Sequence, residues 1–226
     1  MLREKARFFT TDTVYKTLSG SDVYQFSNAD TGYWIFITAT EACTVLRCGK
    51  NLMYPVSNAS QTITKETTIP AMIMRPYSAN IYRKILKQPR TYSFKVSQNS
   101  ITKDFLLFQE NTMEYSTGLL RVNPNQLGVR SVYISDTAST YTNSYMTGSF
   151  YLSKNTTANG DSAVISDFMC AFGNDSDYEP YCGKTLSLKA GETVAVSALD
   201  GINTIIGSTG ALTVQYVEKK TTEGNT

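Results

Sequence analysis

Lys184-Thr-Leu-Ser-Leu-Lys-Ala-Gly191-Glu192-Thr-Val-Ala-Val-Ser-Ala-Leu199, followed after a polar loop by Ala211-Leu-Thr-Val-Gln-Tyr-Val-Glu218, is the stretch that decides the fold class. Leu186 and Leu188, Val194 and Val196, and Leu212, Val214 and Tyr216 alternate with small or polar residues. Period-2 alternation is the mark of strands with one buried and one wet face. The stretch therefore predicts a strand, a tight turn, a second strand, a Gly-rich loop and a last strand, closing the edge of an antiparallel sandwich.

Working outward, the rest of the chain is built the same way. Of its 226 residues 18% are charged and 12% aromatic, with 15 Tyr and 10 Phe, usage that favours strands over long helices or disorder. Short strand-like blocks recur at 23–27, 33–40, 44–48, 61–69, 71–75 and 80–85, separated by Asn-, Asp-, Gly- and Pro-containing turns. From Thr91 on, further blocks run at 91–98, 104–109, 117–123, 130–136, 145–152, 163–172, 185–199 and 211–217. Between the two sets, Arg83-Lys-Ile-Leu-Lys-Gln-Pro-Arg90 concentrates positive charge around Pro89 and is the expected boundary, with a strand crossing between sheets as the competing reading. The expectation is an all-β chain of antiparallel β-sandwiches, a smaller one at 1–88 and a larger one at 89–226. No internal repeat stands out, and the only stretch with helical character is Leu2–Phe9, too short to be stable alone.

The closing strands, through Leu186, Leu188, Gly191, Glu192, Val194, Val196 and Tyr216, resemble the end of the jelly roll of C1q-like and TNF-like trimers and of viral and phage spike and capsid domains. In that family an apolar strand leads through a Gly-Asp or Gly-Glu turn into a Val-rich strand, a loop and a terminal strand bearing an aromatic. This chain departs from the family at Ser208-Thr-Gly210, where Phe-Ser-Gly is usual. The resemblance implies a jelly-roll-like C-terminal half, a homotrimer, and a structural role in a virion as a capsid-associated protein, spike or fibre head.

The composition removes whole classes of chemistry. There is no histidine, so no Ser-His-Asp or Cys-His pair and no His-ligated metal site can be built. Gly201, Gly207 and Gly210 lie between strands without the Lys-Ser/Thr of a phosphate loop. The 19 acidic residues are scattered, and Asp104, Glu110 and Glu114 read as a solvated strand end and loop. The expectation is a protein that is not an enzyme and binds no cofactor. Catalysis without His can still use paired carboxylates, Lys or Tyr, and an enzyme such as a glycan hydrolase, with two carboxylates meeting in a cleft, is the third reading. A net charge of +2 points to no specific nucleic acid, and no apolar run is long enough to suggest a membrane span.

A few positions stand out as candidate sites. Asp175, Asp177 and Glu179 alternate in an acidic loop and could offer oxygens to a cation such as calcium, although the Gly and distal Glu of an EF-hand loop are missing. Arg3, Lys5 and Arg7 would share one side of an extended arm and are the candidate attachment point to other capsid subunits. Tyr33 and Trp34 are the candidate stacking platform of the alternative function, a lectin-like module for host or surface glycans. Cys43 and Cys48 on one strand would be about 17 Å apart, beyond disulfide reach. Cys170 and Cys182 flank the acidic loop, where a bridge and two reduced thiols both suit the spacing. Reduced cysteines fit a virion protein that folds in the host cytoplasm.

Overall fold

The computed structural model describes residues 13–26, 34–53, 60–64, 71–73, 79–102, 105–111, 116–135, 147–152, 160–197, 201–210 and 212–219. The chain is all-β with antiparallel sheets, and it divides into two compact units. One unit is made from both ends of the chain, residues 1–48 and 184–226; the other is the stretch 49–183. That division differs from the boundary expected at 88/89. The first unit is closed by strands distant in sequence, so its hydrogen bonding ignores the local charge and Pro89 that suggested a linker.

The two-ended unit holds β1 (Thr13–Ser19), β2 (Val23–Gln25), β3 (Trp34–Ala39) and β4 (Cys43–Cys48), then β13 (Lys184–Leu188), β14 (Thr193–Ser197), β15 (Thr204–Gly207) and β16 (Leu212–Lys219). They form two four-stranded sheets, β1-β16-β3-β14 and β13-β4-β15-β2. The sequence alternation sets the core: Ile35, Ile37 and Ala39 of β3, Leu212, Val214 and Tyr216 of β16, and Val196 of β14 pack with Tyr24, Val45, Leu188 and Ile205 of the other sheet. The two sheets therefore share one apolar core, the defining property of a sandwich. Phe26 meets Tyr216 edge-on at 5.0 Å between ring centres, and the buried Tyr24 hydroxyl donates to the Leu212 carbonyl at 2.9 Å, tying sheet to sheet. The tight turn at Gly191 (φ 77°) does not join neighbours in one sheet, because β13 pairs with β4 and β14 with β3.

The unit at 49–183 holds β5 (Gln61–Thr64), β6 (Ala71–Ile73), α1 (Ala79–Leu86), β7 (Arg90–Asn99), β8 (Leu106–Asn111), β9 (Ser116–Val122), β10 (Gly128–Ile134), β11 (Thr147–Leu152) and β12 (Ser162–Phe172). Its sheets run β10-β7-β12-β5 and β6-β11-β8-β9. Phe94 of β7 lies 4.8 Å from Phe150 of β11 at 90°, and Phe108 of β8 closes on Phe150 at 4.9 Å, with Tyr92 and Phe168 completing the cluster. Offset and edge-on packing of this kind suits the ring quadrupoles and locks the two sheets together. The segment expected to be a strand and then a linker is instead α1. Ile81 and Ile85, one helical turn apart, are buried with Leu86, and Arg83 and Lys84 sit in the last turn, where cations oppose the helix dipole.

The units have the same topology. Numbering the strands of each from one to eight along the chain, both have sheets in the order 1-8-3-6 and 2-7-4-5. They also share a turn at the same place, between the fifth and sixth strands. In Lys189-Ala-Gly191-Glu192 the Glu192 N–H donates to the Lys189 carbonyl (3.0 Å) while the Lys189 N–H donates to the Glu192 carboxylate (2.8 Å). In Asn123-Pro-Asn125-Gln126 the Gln126 N–H donates to the Asn123 carbonyl (3.2 Å) and the Asn123 N–H to the Gln126 side-chain oxygen (3.0 Å). The third residue is left-handed in both, Gly191 at φ 77° and Asn125 at φ 63°, the conformation a type II turn demands there.

Candidate functional site

The acidic loop is organised by its own polar contacts. The Asp175 carboxylate holds the Lys50 ammonium with both oxygens, at 3.1 and 3.2 Å, and accepts the Asp177 N–H at 2.9 Å, an Asx turn. Glu179 contributes its backbone carbonyl, which accepts from the Asn51 amide at 2.9 Å. Among the described residues no group of three or more His, Cys, Asp or Glu is gathered for a metal ion. Asp175, Asp177 and Glu179, the expected cation ligands, are not among any such group, and the Asp175 carboxylate is paired with Lys50.

Beside this loop lies a buried polar residue that the sequence reading missed. Asn51 is fully buried and uses its whole amide, donating to Phe168 O (3.0 Å) and Glu179 O and accepting the Met53 N–H (2.9 Å). It fastens the start of the unit to β12 and to the acidic loop. Leu52 adds a backbone bond to the Cys170 carbonyl at 2.8 Å. Arg90 is buried as completely, and its guanidinium donates to Leu86 O (3.0 Å), a carbonyl that the end of α1 leaves over, and to Gln88 O (3.3 Å) just beyond the helix. Both are structural clamps, and the signal that marks them, a polar residue beside an apolar run, is common to many exposed positions.

Trp34 opens β3 opposite Ser197 of β14, on the face of the sheet turned away from the core, and is half-buried. Tyr33, Arg3, Lys5 and Arg7 lie outside the described residues, so neither the stacking platform nor the basic arm is seen whole. The four cysteines form no disulfide: Cys43, Cys48 and Cys170 are buried and Cys182 is exposed. Burial, then the charge of Glu41, pushes the Cys43 thiol above its ordinary pKa. Burial and the charge of Asp167 raise the Tyr178 phenol likewise. Asp167 itself sits at φ 54° where the β7–β12 ladder slips between Ser166 and Met169, a bulge that tilts β12. Among the described residues no helix is long and apolar enough to cross a membrane.

These sites define a class no finer than an all-β chain of two antiparallel units. Compared with protein-family models, with curated proteins and with solved structures, the chain matches none.

Proposed function

We propose that the protein is a non-catalytic structural component of a virus or phage particle, a capsid-associated protein, spike or fibre head that works by self-assembly as a homotrimer and by attachment to other capsid subunits. The observation that carries the reading is the strand order. We read the order 1-8-3-6 with 2-7-4-5 as supporting a jelly roll, two Greek keys wrapped into a sandwich, an architecture of viral capsid and lectin domains. The reading thus extends the jelly roll to both units, with the second inserted between the fourth and fifth strands of the first. Supporting it from the sequence is the lack of histidine, which removes the commonest acid–base and metal chemistries.

In this reading Arg3, Lys5 and Arg7 attach the protein to the particle. Removing residues 1–9 then abolishes incorporation into particles while the circular-dichroism spectrum and melting temperature hold. Normal incorporation of the truncated chain would remove the attachment role from the arm.

A further inference from the structure

Among the described residues four large apolar side chains stand exposed, and three of them sit on or beside one strand: Leu127 (55% exposed), Val129 (62%) and Tyr133 (45%). The strand is β10, the outermost of its sheet among the described residues, with β7 as its ladder partner. Register places Val129, Ser131 and Tyr133 beside Lys95, Ser93 and Thr91, on the face turned away from the aromatic core, while Arg130 and Val132 lie beside Phe94 and Tyr92.

The other unit supplies an internal control. Its strand β14 occupies the same sixth position and is likewise an edge, yet it turns Thr193, Ala195 and Ser197 to the corresponding face. The apolar face of β10 is therefore not a requirement of the topology. Of the features that keep an edge from pairing, β10 carries a single one, the inward parity of its charge. Its sequence has no Pro and no Lys, and its ladder with β7 runs without a bulge. Its one charge, Arg130, has the inward parity and donates back to the Leu127 carbonyl at 3.1 Å.

We infer that β10 is a two-fold contact surface for a second copy of this chain, the two β10 strands pairing antiparallel about Ser131 so that the sheet runs from one copy into the next. The strand fits its own reverse. About Ser131, Val129 of one copy meets Tyr133 of the other, Arg130 meets Val132, and Gly128 meets Ile134. No like charges oppose each other, and each exposed valine gains an aromatic neighbour, a favourable cross-strand pair. A two-fold contact cannot close a three-fold ring. A trimer formed through other surfaces thus keeps its β10 edges for joining further trimers. The inference deepens the assembly reading and rests on it only for the partner being another copy.

The test is cysteine cross-linking of the full chain, with Cys182→Ser removing the exposed native thiol. Paired about Ser131, the two copies of residue 131 stand about 4.5–5.5 Å apart between Cα atoms, within disulfide reach. The two copies of residue 129 stand about 14 Å apart, beyond it. Under mild oxidation, Ser131→Cys gives a disulfide-linked dimer as the main product and Val129→Cys stays unlinked. Equal linking of the two variants, or none in a protein that light scattering shows to be trimeric, overturns the β10 contact and leaves the assembly reading standing. A monomeric mass without linking overturns both. A dimeric mass with linking confined to residue 131 upholds the contact and overturns the trimer.

Discussion

Arg47 and Lys184 are register partners across the β4–β13 ladder, although the whole of the second unit lies between them in the chain. The chain leaves the first unit at one rung and returns at the same rung. An insertion of that kind leaves the strands on either side of it paired as if a short turn joined them. Two cations directly opposite repel, so the rung is held by the ladder around it and by the Leu186–Val45 and Leu188–Cys43 rungs beyond.

Residues 49–183 should therefore fold when expressed alone. Their two sheets share an aromatic core of their own, and Asn51 fastens the beginning of the segment to its end. A single cooperative thermal transition with a β-type circular-dichroism spectrum is expected; a chain without a transition would contradict the autonomy of the unit.

Asn51 should be among the least replaceable residues of that unit. Asn51→Ala strands the buried Phe168 carbonyl and Met53 N–H and the part-buried Glu179 carbonyl, and a buried group left unsatisfied costs about 1–3 kcal/mol, so a loss of roughly 3 kcal/mol in denaturant unfolding is expected. Asn51→Asp aims a carboxylate at the same carbonyls, which raises its pKa. Its destabilisation should be greatest above that raised pKa and ease as the pH falls and the group takes up a proton. Equal stability of Asn51→Asp and wild type at neutral pH would count against the buried geometry.

Arg90→Met keeps the length of the stem but removes the donors to Leu86 O and Gln88 O. Hydrogen bonds from a charged group contribute about 1.5–3 kcal/mol each, so a loss of at least about 2 kcal/mol is expected, with Arg90→Lys between the two. A neutral Arg90→Met would show that the end of α1 is satisfied in another way.

The cysteines make a prediction in pH. In the native protein, alkylation followed by mass spectrometry should label Cys182 quickly and Cys43, Cys48 and Cys170 only on unfolding. Because the folded pKa of Cys43 is raised, its contribution to stability is complete below the ordinary thiol range. It is lost as pH rises through the folded value. Cys43→Ala should flatten that alkaline fall; an unchanged slope would assign it to other groups.

The sequence was most readable where strands are wet on one face. Leu212, Val214 and Tyr216 alternate and are the residues that enter the core. It was opaque where that contrast vanishes: Thr204, Ile205, Ile206 and Gly207 of β15 are all buried, so the strand shows no alternation and read as part of a loop. Helix α1 is only eight residues long, and its Ile81–Ile85 spacing sat inside a stretch whose charge and Pro89 suggested a boundary. The nesting of the units was hidden for a different reason. The pairing of β1 with β16 and of β4 with β13 is long-range, and no local pattern encodes it. The repeated turn left a trace in Lys189-Ala-Gly-Glu192 and Asn123-Pro-Asn-Gln126, but the two share geometry rather than residues. Of the candidate sites, the acidic loop was legible as a loop, but its pairing with Lys50 was not, because no local pattern shows that Lys50 faces Asp175.

The central claim, a structural protein that works by self-assembly, is tested most directly by the mass of the purified full chain in solution, measured by light scattering over a range of concentrations. The account predicts the mass of a trimer, growing at higher concentration in multiples of three. A monomer that persists to the highest concentration would contradict it.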